Sequence, residues 1–374
     1  MAIACGIVVA NLYYCQPLLG SLADTFDVSE TSASWINISS QLGYGLGLFF
    51  IVPLGDMISR RRLLIIMHIL AALAVTGAAL SNSIYTLYFF SVCIGVTSTA
   101  CQIFVPLAAH MASDEERGKV IGVLMGGLLT GILVSRTLSG LAADTWGWRS
   151  IYWIAAIMML ILAVLCSRFI PDEKHSFEGN YKTLMQSLFR LVRQEPVVRE
   201  SAWIGACLFG AISAFWSTMA FFLEKPPYSF SLSAIGLFGF IGASGALVSP
   251  LAGKLSDTKG ALIPMRWGMI GMAVGYLILF KSSVSIVILI LGIILIDMGL
   301  QAAHIPNLTR VSALHPDART RLNTIYMTSF FIGGTLGSII GSYAWNVSGW
   351  TGVCFTGLIM VAAGALPLLG KRKK

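Results

Sequence analysis

The chain is constrained above all by its apolar stretches of about 20 residues, which follow one another along almost its whole length. A stretch of that length crosses the bilayer core as one α-helix, so these stretches predict transmembrane helices. Composition agrees, since 56% of the residues are hydrophobic and 11% are charged, whereas a soluble domain has about 25% charged residues. A soluble protein of 374 residues could not cover its surface with so few charges, so its solvent is lipid.

We therefore predict an all-α integral membrane protein with twelve transmembrane helices. The longest polar stretch separates the sixth from the seventh, which predicts a six-helix bundle at 1–170, a cytoplasmic linker at 171–199 and a second bundle at 200–374. Within the linker, Leu184, Leu188 and Leu191 have the spacing of an amphipathic helix on the membrane surface. The predicted spans are 2–21, 33–54, 63–81, 84–109, 119–142, 149–169, 200–223, 232–251, 264–280, 283–305, 322–345 and 350–369.

Short motifs recur at half the length of the chain. V-P-L-G-D ends at Asp56 and G-K-L-S-D ends at Asp257, 201 residues later, while W-G-W and S-G-W place Trp148 and Trp350 202 residues apart. Internal repetition in a membrane protein suggests a transporter whose site lies between two related halves. Glycines repeated every third or fourth position in helices two, five, eight and eleven predict that these helices pack closely.

The net charge of +8 is distributed as membrane topology requires, and not as a nucleic-acid surface. With the loop at Arg60 to Arg62 on the cytoplasmic side, all but four of the 25 lysines and arginines lie in cytoplasmic segments. We expect a multi-pass protein of the bacterial cytoplasmic (inner) membrane with both termini in the cytoplasm. Because Met1 leads directly into apolar residues without a basic lead-in, we also expect the natural start to lie upstream.

The sequence predicts neither a cofactor nor a metal site. Its seven cysteines all fall in apolar segments without a C-x-x-C pair, so we interpret them as small packing residues. Phosphate-binding loops, metal-ligand clusters and nucleophile elbows are missing from the sequence, so we do not expect an enzyme. Energy for transport should then come from an ion gradient.

Asp297 is the sharpest candidate for coupling to protons, because a carboxylate inside a membrane helix must face a cavity or a partner. Gln301 and His304 follow at i+4 and i+7 on the same helix face, and the three form either a proton relay or a structural hydrogen-bond network. Arg136 is the third candidate, since it is the one base well inside a helix. It either pairs with a carboxylate or binds an anionic or hydroxylated substrate.

Amides and aromatic residues at membrane depth suit a cavity for a polar or amphipathic organic molecule. Four polar side chains fall between Asn11 and Gln16 in helix one, where Pro17 is expected to kink the helix. A single serine or threonine is weaker evidence, because it more often bonds its own helix. The candidates for the substrate cavity are Asn11, Tyr14, Gln16, Gln41, Gln102, Trp216, Gln301, Asn307 and Tyr326.

The two loop motifs resemble the motif of the major facilitator superfamily, usually written G-x-L-a-D-R-x-G-R-[RK]. The stretches A-N-L-Y-Y-C-Q-P-L-L, Q-L-G-Y-G-L-G, G-I-L-V-S-R-T-L-S-G and D-A-R-T-R-L-N-T-I-Y-M resemble its branch of predicted arabinose-type efflux permeases, which is similar to drug/proton antiporters. The chain departs from the antiporter pattern at Ser91, where helix four usually has arginine, and at Ser135-Arg136, where helix five usually has Gly-Pro. The resemblance implies two pseudo-symmetric six-helix bundles, the major facilitator fold.

The resemblance also implies a conformational latch at the loop motifs. The second copy keeps Gly253, Asp257 and Gly260, and the first keeps Asp56, Arg60 and Arg61. In that family the carboxylate is expected to cap a neighbouring helix and to pair with guanidinium. The alternative is a solvated loop that only sets the topology.

We expect a monomeric secondary transporter that exports a small organic solute, drug-like or sugar-like, in exchange for protons by alternating access. Its partners would be that solute, protons and the lipid bilayer, with no nucleic acid. The first alternative is a proton-coupled importer or a uniporter of the same fold. The second is a membrane-embedded sensor or enzyme, which would usually add a soluble domain or a catalytic motif.

Overall fold

The structure is a computed structural model that describes residues 1–111, 117–172, 180–242, 244–315 and 318–369. Within those residues the regular structure is helical, with sixteen α-helices joined by short turns and two 3₁₀ segments. The helices are α1 (Ala2–Ala10), α2 (Leu19–Phe26), α3 (Glu30–Phe50), α4 (Arg60–Ala79), α5 (Ile84–Ser98), α6 (Ala100–Met111), α7 (Arg117–Trp146), α8 (Arg149–Phe169), α9 (Tyr181–Gln194), α10 (Pro196–Trp216), α11 (Met219–Glu224), α12 (Leu232–Gly242), α13 (Ser244–Lys259), α14 (Leu262–Leu279), α15 (Ile286–Ser312) and α16 (Arg319–Leu369).

Ten helical stretches of the described chain are long and apolar enough to cross a membrane. The longest, Arg321–Leu368, holds two consecutive membrane helices that meet at Gly349, whose φ of 59° and ψ of −146° are not helical. The first predicted membrane segment is divided between α1 and α2, each shorter than a full span. If Arg321–Leu368 is counted as two segments, and α1 and α2 together as one, the described chain has twelve membrane segments, as predicted. The amphipathic helix predicted in the polar linker is α9, which buries Leu184 and Leu188.

The chain forms two compact units, which pair their helices in the same way. Unit 1 consists of Met1–Gln186 and Phe230–Gly239, and unit 2 of Ser187–Ser229 and Phe240–Lys374. In unit 1, α1 packs along α7, α3 along α5, and α4 along α8. In unit 2, α10 packs along α16, α13 along α15, and α14 along α16. The first, second and third membrane segments of each half thus pack against its fifth, fourth and sixth, as a duplicated unit should. The bundle boundaries at 170 and 200 remain a prediction.

Serines and glycines set the helix ends. The side chains of Ser29, Ser59, Ser83 and Ser285 accept a backbone N–H in the first turn of the helix that follows, which satisfies a donor left free at a helix start. Gly147 ends α7 with φ of 81°, a left-handed conformation that favours glycine. Gly147 is the repeat counterpart of Gly349, so both copies of the G-W motif turn the chain between the last two membrane helices of a half.

Most of the predicted glycine contacts are present. In unit 2, Gly333, Gly337 and Gly341 of α16 lie against Ala206, Gly210 and Ala214 of α10, and a Cβ at any of the three would overlap them. In unit 1, the glycines of α3 approach α5 and those at 127 and 131 of α7 approach α1. Gly122 and Gly126 are the exception, because a Cβ at either position would meet nothing within 4 Å. At those two positions the structure shows none of the predicted close packing.

Candidate functional site

The first membrane segment is broken at the place where its polar residues are concentrated. The α-helix ends at Ala10, residues 11–15 form turns, and a short 3₁₀ segment, Gln16–Leu18, leads into α2. Pro17 lacks a backbone N–H and so contributes to the interruption. Discontinuous membrane helices are a common place for binding sites, because backbone and side-chain polar groups can then face a ligand.

Arg136 of α7 lies beside this break. Its Nε donates to Oε1 of Gln16 at 2.8 Å, and its guanidinium carbon lies 5.2 Å from the centre of the Tyr13 ring, a cation–π distance. Nε2 of Gln16 donates to Oδ1 of Asn37 in α3 at 3.4 Å. We call Tyr13, Gln16, Asn37 and Arg136 the arginine cluster. Its arginine is only 6% exposed, and its two amides are buried as well.

Gly239 of α12 makes room for the stem of Arg136. A Cβ at position 239 would lie 3.1 Å from Cβ and 3.3 Å from Cδ of the arginine, and 3.0 Å from the carbonyl oxygen of Leu133. One turn away, the hydroxyl of Thr137 donates to the carbonyl oxygen of Gly236 at 3.0 Å. The first turns of α12 thereby belong to unit 1 and close one side of the arginine cluster.

A second polar group in unit 1 joins α3 to the α5–α6 junction. Nε2 of Gln102 donates to the hydroxyl of Tyr44 at 3.0 Å, and that hydroxyl lies 3.1 Å from Sγ of Cys101. Sγ of Cys5 contacts the carbonyl oxygen of Cys101 at 3.5 Å. Gln102 is half-buried and its three neighbours are buried, so this group packs helices together around one amide that reaches the surface.

Asp297 lies in the middle of α15, about 17 Å along the helix from Ile286 at 1.5 Å per residue. A Cβ at Gly242 would lie 3.6 Å from its Oδ2, and one at Gly245 would lie 2.8 Å from its backbone oxygen. The half-buried carboxyl group is therefore placed where α15 comes closest to the end of α12 and the start of α13. The buried ring of Trp216 packs against Gly242 at the same place.

His304 and Asn307 share one partner, the hydroxyl of Tyr326 in α16. Nδ1 of His304 lies 2.9 Å from that hydroxyl, and Nδ2 of Asn307 lies 3.4 Å from it and donates to the carbonyl oxygen of Ser201 at 2.9 Å. Asn307 and Tyr326 are fully buried. The ring of His304 also packs against Phe330, with centroids 4.6 Å apart. We call His304, Asn307 and Tyr326 the tyrosine cluster.

The structure brings some predicted residues together and keeps others apart. Gln301 follows Asp297 toward Gly245, with its Cγ 3.0 Å from where a Cβ there would lie, whereas His304 contacts α16. Arg136 belongs to unit 1, and Asp297 and His304 belong to unit 2. The remaining cavity candidates are buried at three places: Asn11 donates to Sδ of Met159 at 3.4 Å, the carbonyl of Tyr14 accepts from Ser139, and Gln41 lies within α3.

At the loop motifs, the side chains of Asp56 and Asp257 lie outside the described residues. Arg60 begins α4 after the cap at Ser59, and Arg61 donates through Nη2 to the carbonyl oxygen of Ser167 in the same unit. Gly260 has φ of 83° and ends α13, so its place in the motif has a backbone reason. A Cβ at Gly253 would have nothing within 4 Å, so close packing does not explain why the motif has a glycine there.

Sequence reasoning missed some polar groups that the structure buries wholly or in part. His68 of α4 is 1% exposed and its Nδ1 contacts the carbonyl oxygen of Leu64 at 2.6 Å. Arg310 and Glu200 form an ion pair at 2.8 Å between α15 and α10. The positive-inside count placed Arg310 in a loop, and only the three-dimensional structure shows its partner. In the described part of the chain, no three His, Cys, Asp or Glu side chains meet to hold a metal ion.

Comparison with known proteins gives consistent matches over the whole length. The sequence profile described as Major Facilitator Superfamily matches residues 1–318 and 244–374. The uncharacterized transporter YgaY of Escherichia coli O157:H7 is 41% identical over 366 residues, which are 98% of this chain and 93% of that protein. The transporter SCO4007 of Streptomyces coelicolor is 30% identical over 371 residues, covering 99% and 85%.

Among solved structures, the chain is similar to a bacterial homolog of the human lysosomal transporter Spinster, in an inward-facing and occupied conformation. The TM-score is 0.76 at 16% identity, and the match covers 98% of this chain and 93% of that one. At this identity the likeness concerns the fold: two pseudo-symmetric bundles of six membrane helices.

Proposed function

Because the chain belongs to the major facilitator superfamily, and is thus a multi-pass membrane transporter and not an enzyme, we propose that it couples export of a small organic solute to proton entry. Alternating access in the cytoplasmic membrane, by a monomer with both termini inside, completes the proposal. Drug-like and sugar-like solutes are the classes to test first. Arg60, Arg61, Gly253 and Gly260, together with the two loop aspartates, are proposed as the latch that favours one conformation.

Asp297 is the observation that supports proton coupling. An ionised carboxylate at the centre of a membrane helix costs about 2.5–3.5 kcal/mol on insertion scales, so such a residue is a candidate for a functional role. It lies at the closest approach of α15 to Gly242 and Gly245. A change of charge at that point alters the packing of helices that have no room for a side chain between them. Protonation can therefore favour one arrangement of α13 and α15 over another, which coupling requires.

The tyrosine cluster and Arg136 are the remaining proton-coupling candidates. His304 lies two turns after Asp297 on α15, and its hydrogen bond to Tyr326 gives a proton a second site on the same helix. Arg136 contributes by charge, not by titration, since a guanidinium stays protonated in proteins. We propose that Asp297 carries the proton and that His304 modulates its exchange.

Everted membrane vesicles test this proposal. Respiration acidifies the interior, an acridine dye reports the pH gradient, and ethidium, L-arabinose or D-galacturonate is then added outside. Export by antiport predicts that at least one solute collapses part of the gradient in wild-type vesicles and not in D297N vesicles. The control variant, D24N, changes an exposed acid of α2 and should behave as wild type. Equal responses of D297N and wild type, with equal amounts of protein, would contradict the role of Asp297.

The same assay separates export from the alternatives. An antiporter lets protons out as solute enters the everted vesicle, so the gradient falls when solute is added. A uniporter takes up radiolabelled solute without any change in the dye signal. An importer coupled by symport releases preloaded solute together with protons and does not accumulate it from outside.

A further inference from the structure

The arginine cluster of unit 1 is a built polar site, separate from Asp297 and His304, the groups proposed to carry and exchange the proton. We propose that it recognises the solute, and that the solute is a hydroxylated organic acid, a molecule that carries a carboxylate beside hydroxyl groups. The inference rests on the proposed function, since it names the chemical class of the transported solute. It goes beyond that function because it predicts that the transported solute is an anion, and not a neutral sugar or a cationic drug.

The guanidinium of Arg136 is oriented by its neighbours. Gln16 accepts its Nε–H, and its guanidinium carbon lies over the Tyr13 ring, so two contacts restrain the position of the guanidinium group. Gln16 is itself held by Asn37. A planar guanidinium matches the two oxygens of a carboxylate, which is why arginine and not lysine suits such a site. Preorganised groups lose less conformational entropy when a ligand binds, so the ligand binds more tightly.

A second and independent observation points to a ligand at the same place. Nδ2 of Asn37 has no hydrogen-bond partner among the described residues, although the side chain is fully buried. Oδ1 of Asn11, at the break that precedes Gln16, also lacks one in the described chain and is 4% exposed. A buried polar atom without a partner costs free energy that a ligand can recover. The amide N–H supplies a further donor for an oxygen, and the amide oxygen can accept from a hydroxyl.

The position of the cluster in the membrane fits an anion as well. Arg136 lies about 21 Å along its membrane helix from Gly122 and about 15 Å before the end of that span at Trp146. A cation at that depth is costly unless it is used, and it attracts negative charge strongly where water is scarce. Tyr13 is half-buried while the other three members are buried, so the ring connects the cluster with the surface of unit 1. Gly239 leaves room for the stem of the arginine side chain.

A pair of probes that differ in one group tests the inference on the purified full-length protein. D-galacturonate and D-galactose share their ring hydroxyls, and only the first has a carboxylate. We expect D-galacturonate to raise the melting temperature and to give a measurable binding isotherm, because a ligand that binds the native state stabilises it. Galactose should do neither at the same concentration. If galactose stabilises the protein as well as galacturonate, or if galacturonate has no effect at millimolar concentration, the inference is overturned.

Variants locate the site. R136Q removes the charge and should weaken galacturonate binding about tenfold or more, and R136K keeps the charge but loses the fork and should weaken it to a similar extent. The matched control is R149Q, because Arg149 also lies over an aromatic ring, that of Trp148 at 4.2 Å, in the same unit but outside the cluster. Its binding should stay within about twofold of wild type. Unchanged affinity in R136K and R136Q overturns the assignment.

N37A keeps the test decisive if the arginine variants do not fold. It retains Arg136 and removes the amide donor, so it should also weaken galacturonate binding while galactose remains without effect. Equilibrium binding is independent of proton flux, so the two proposals can fail separately. Galacturonate binding that depends on Arg136, with no proton movement in vesicles, would refute proton coupling and leave this inference standing. Solute-driven proton movement with no preference for the acid would do the reverse.

Discussion

Buried polar residues in this protein act in small groups, and the tyrosine cluster shows what one hydroxyl contributes. The hydroxyl of Tyr326 serves both His304 and Asn307, and all three belong to unit 2. Y326F removes that oxygen and leaves the half-buried His304 and the buried Asn307 each with one hydrogen-bond partner fewer. We expect the variant to unfold with a free energy lower by about 1–3 kcal/mol, which is the cost of an unsatisfied buried group.

Thermal melting of the purified protein in detergent measures this effect. Y343F is the matched control, since the ring of Tyr343 is 67% exposed and the same atom is lost there. Its melting temperature should equal that of wild type. A Y326F protein that melts with the control would show that the hydroxyl is not part of a stabilising network.

At this scale the sequence supplied the names of the residues but not their partners. Arg136 and Gln16 both stood out as polar groups in apolar segments, yet 120 residues separate them, and no periodicity links positions so far apart. His68 was not predicted to be a buried polar group, because nothing in the sequence distinguishes a single buried histidine in a helix from an exposed one. The helix-face rule grouped Asp297 with His304, but their contacts lead to different helices, because i+7 positions lie two turns apart.

Among the elements, contact between α10 and α16 depends on glycine. A Cβ at Gly337 would overlap Gly210 of α10, and helices can approach this closely only without side chains. We expect G337A to force the helices apart and to lower stability and yield. G126A, in a glycine run that the sequence made equally prominent, should be neutral or gain about 0.5–1 kcal/mol from helix propensity. Melting temperature and the monodisperse fraction on gel filtration decide between them.

Element boundaries followed from the sequence where apolar length and caps coincide, as at Arg149–Phe169, whose start and end both match the prediction. The break at Asn11 to Cys15 was foreseen only as a kink at Pro17. The difference arises because the length of a break depends on which backbone groups find partners in other helices. Gly122 and Gly126 show the same limit: a repeat of small residues permits close packing but does not create a neighbour.

For the whole molecule, the duplication read from two short motifs extends to the architecture. Corresponding membrane segments pair in each unit, and Gly147 and Gly349 both adopt positive φ before a buried tryptophan. The sequence of this one chain was therefore enough to predict the fold. It did not suffice for the chemistry of the site, because the two units have diverged: unit 1 carries the arginine cluster and unit 2 the carboxylate of Asp297.

The proposed orientation of the molecule rests on the distribution of its basic residues and can be measured directly. Helix α14 has 18 residues and spans about 27 Å, so the turns at its two ends lie on opposite sides of the membrane. Thr258, before α14, is exposed beside Lys254 and Lys259, whereas Ser283, after it, is exposed in a turn with few bases.

With the basic side inside, an impermeant maleimide should label S283C in intact cells and T258C only after permeabilisation. C93S is a suitable background, because Cys93 is half-buried and the other native cysteines are buried. Labelling of T258C in intact cells, with S283C protected, would invert the topology and with it the direction in which Asp297 meets the proton gradient.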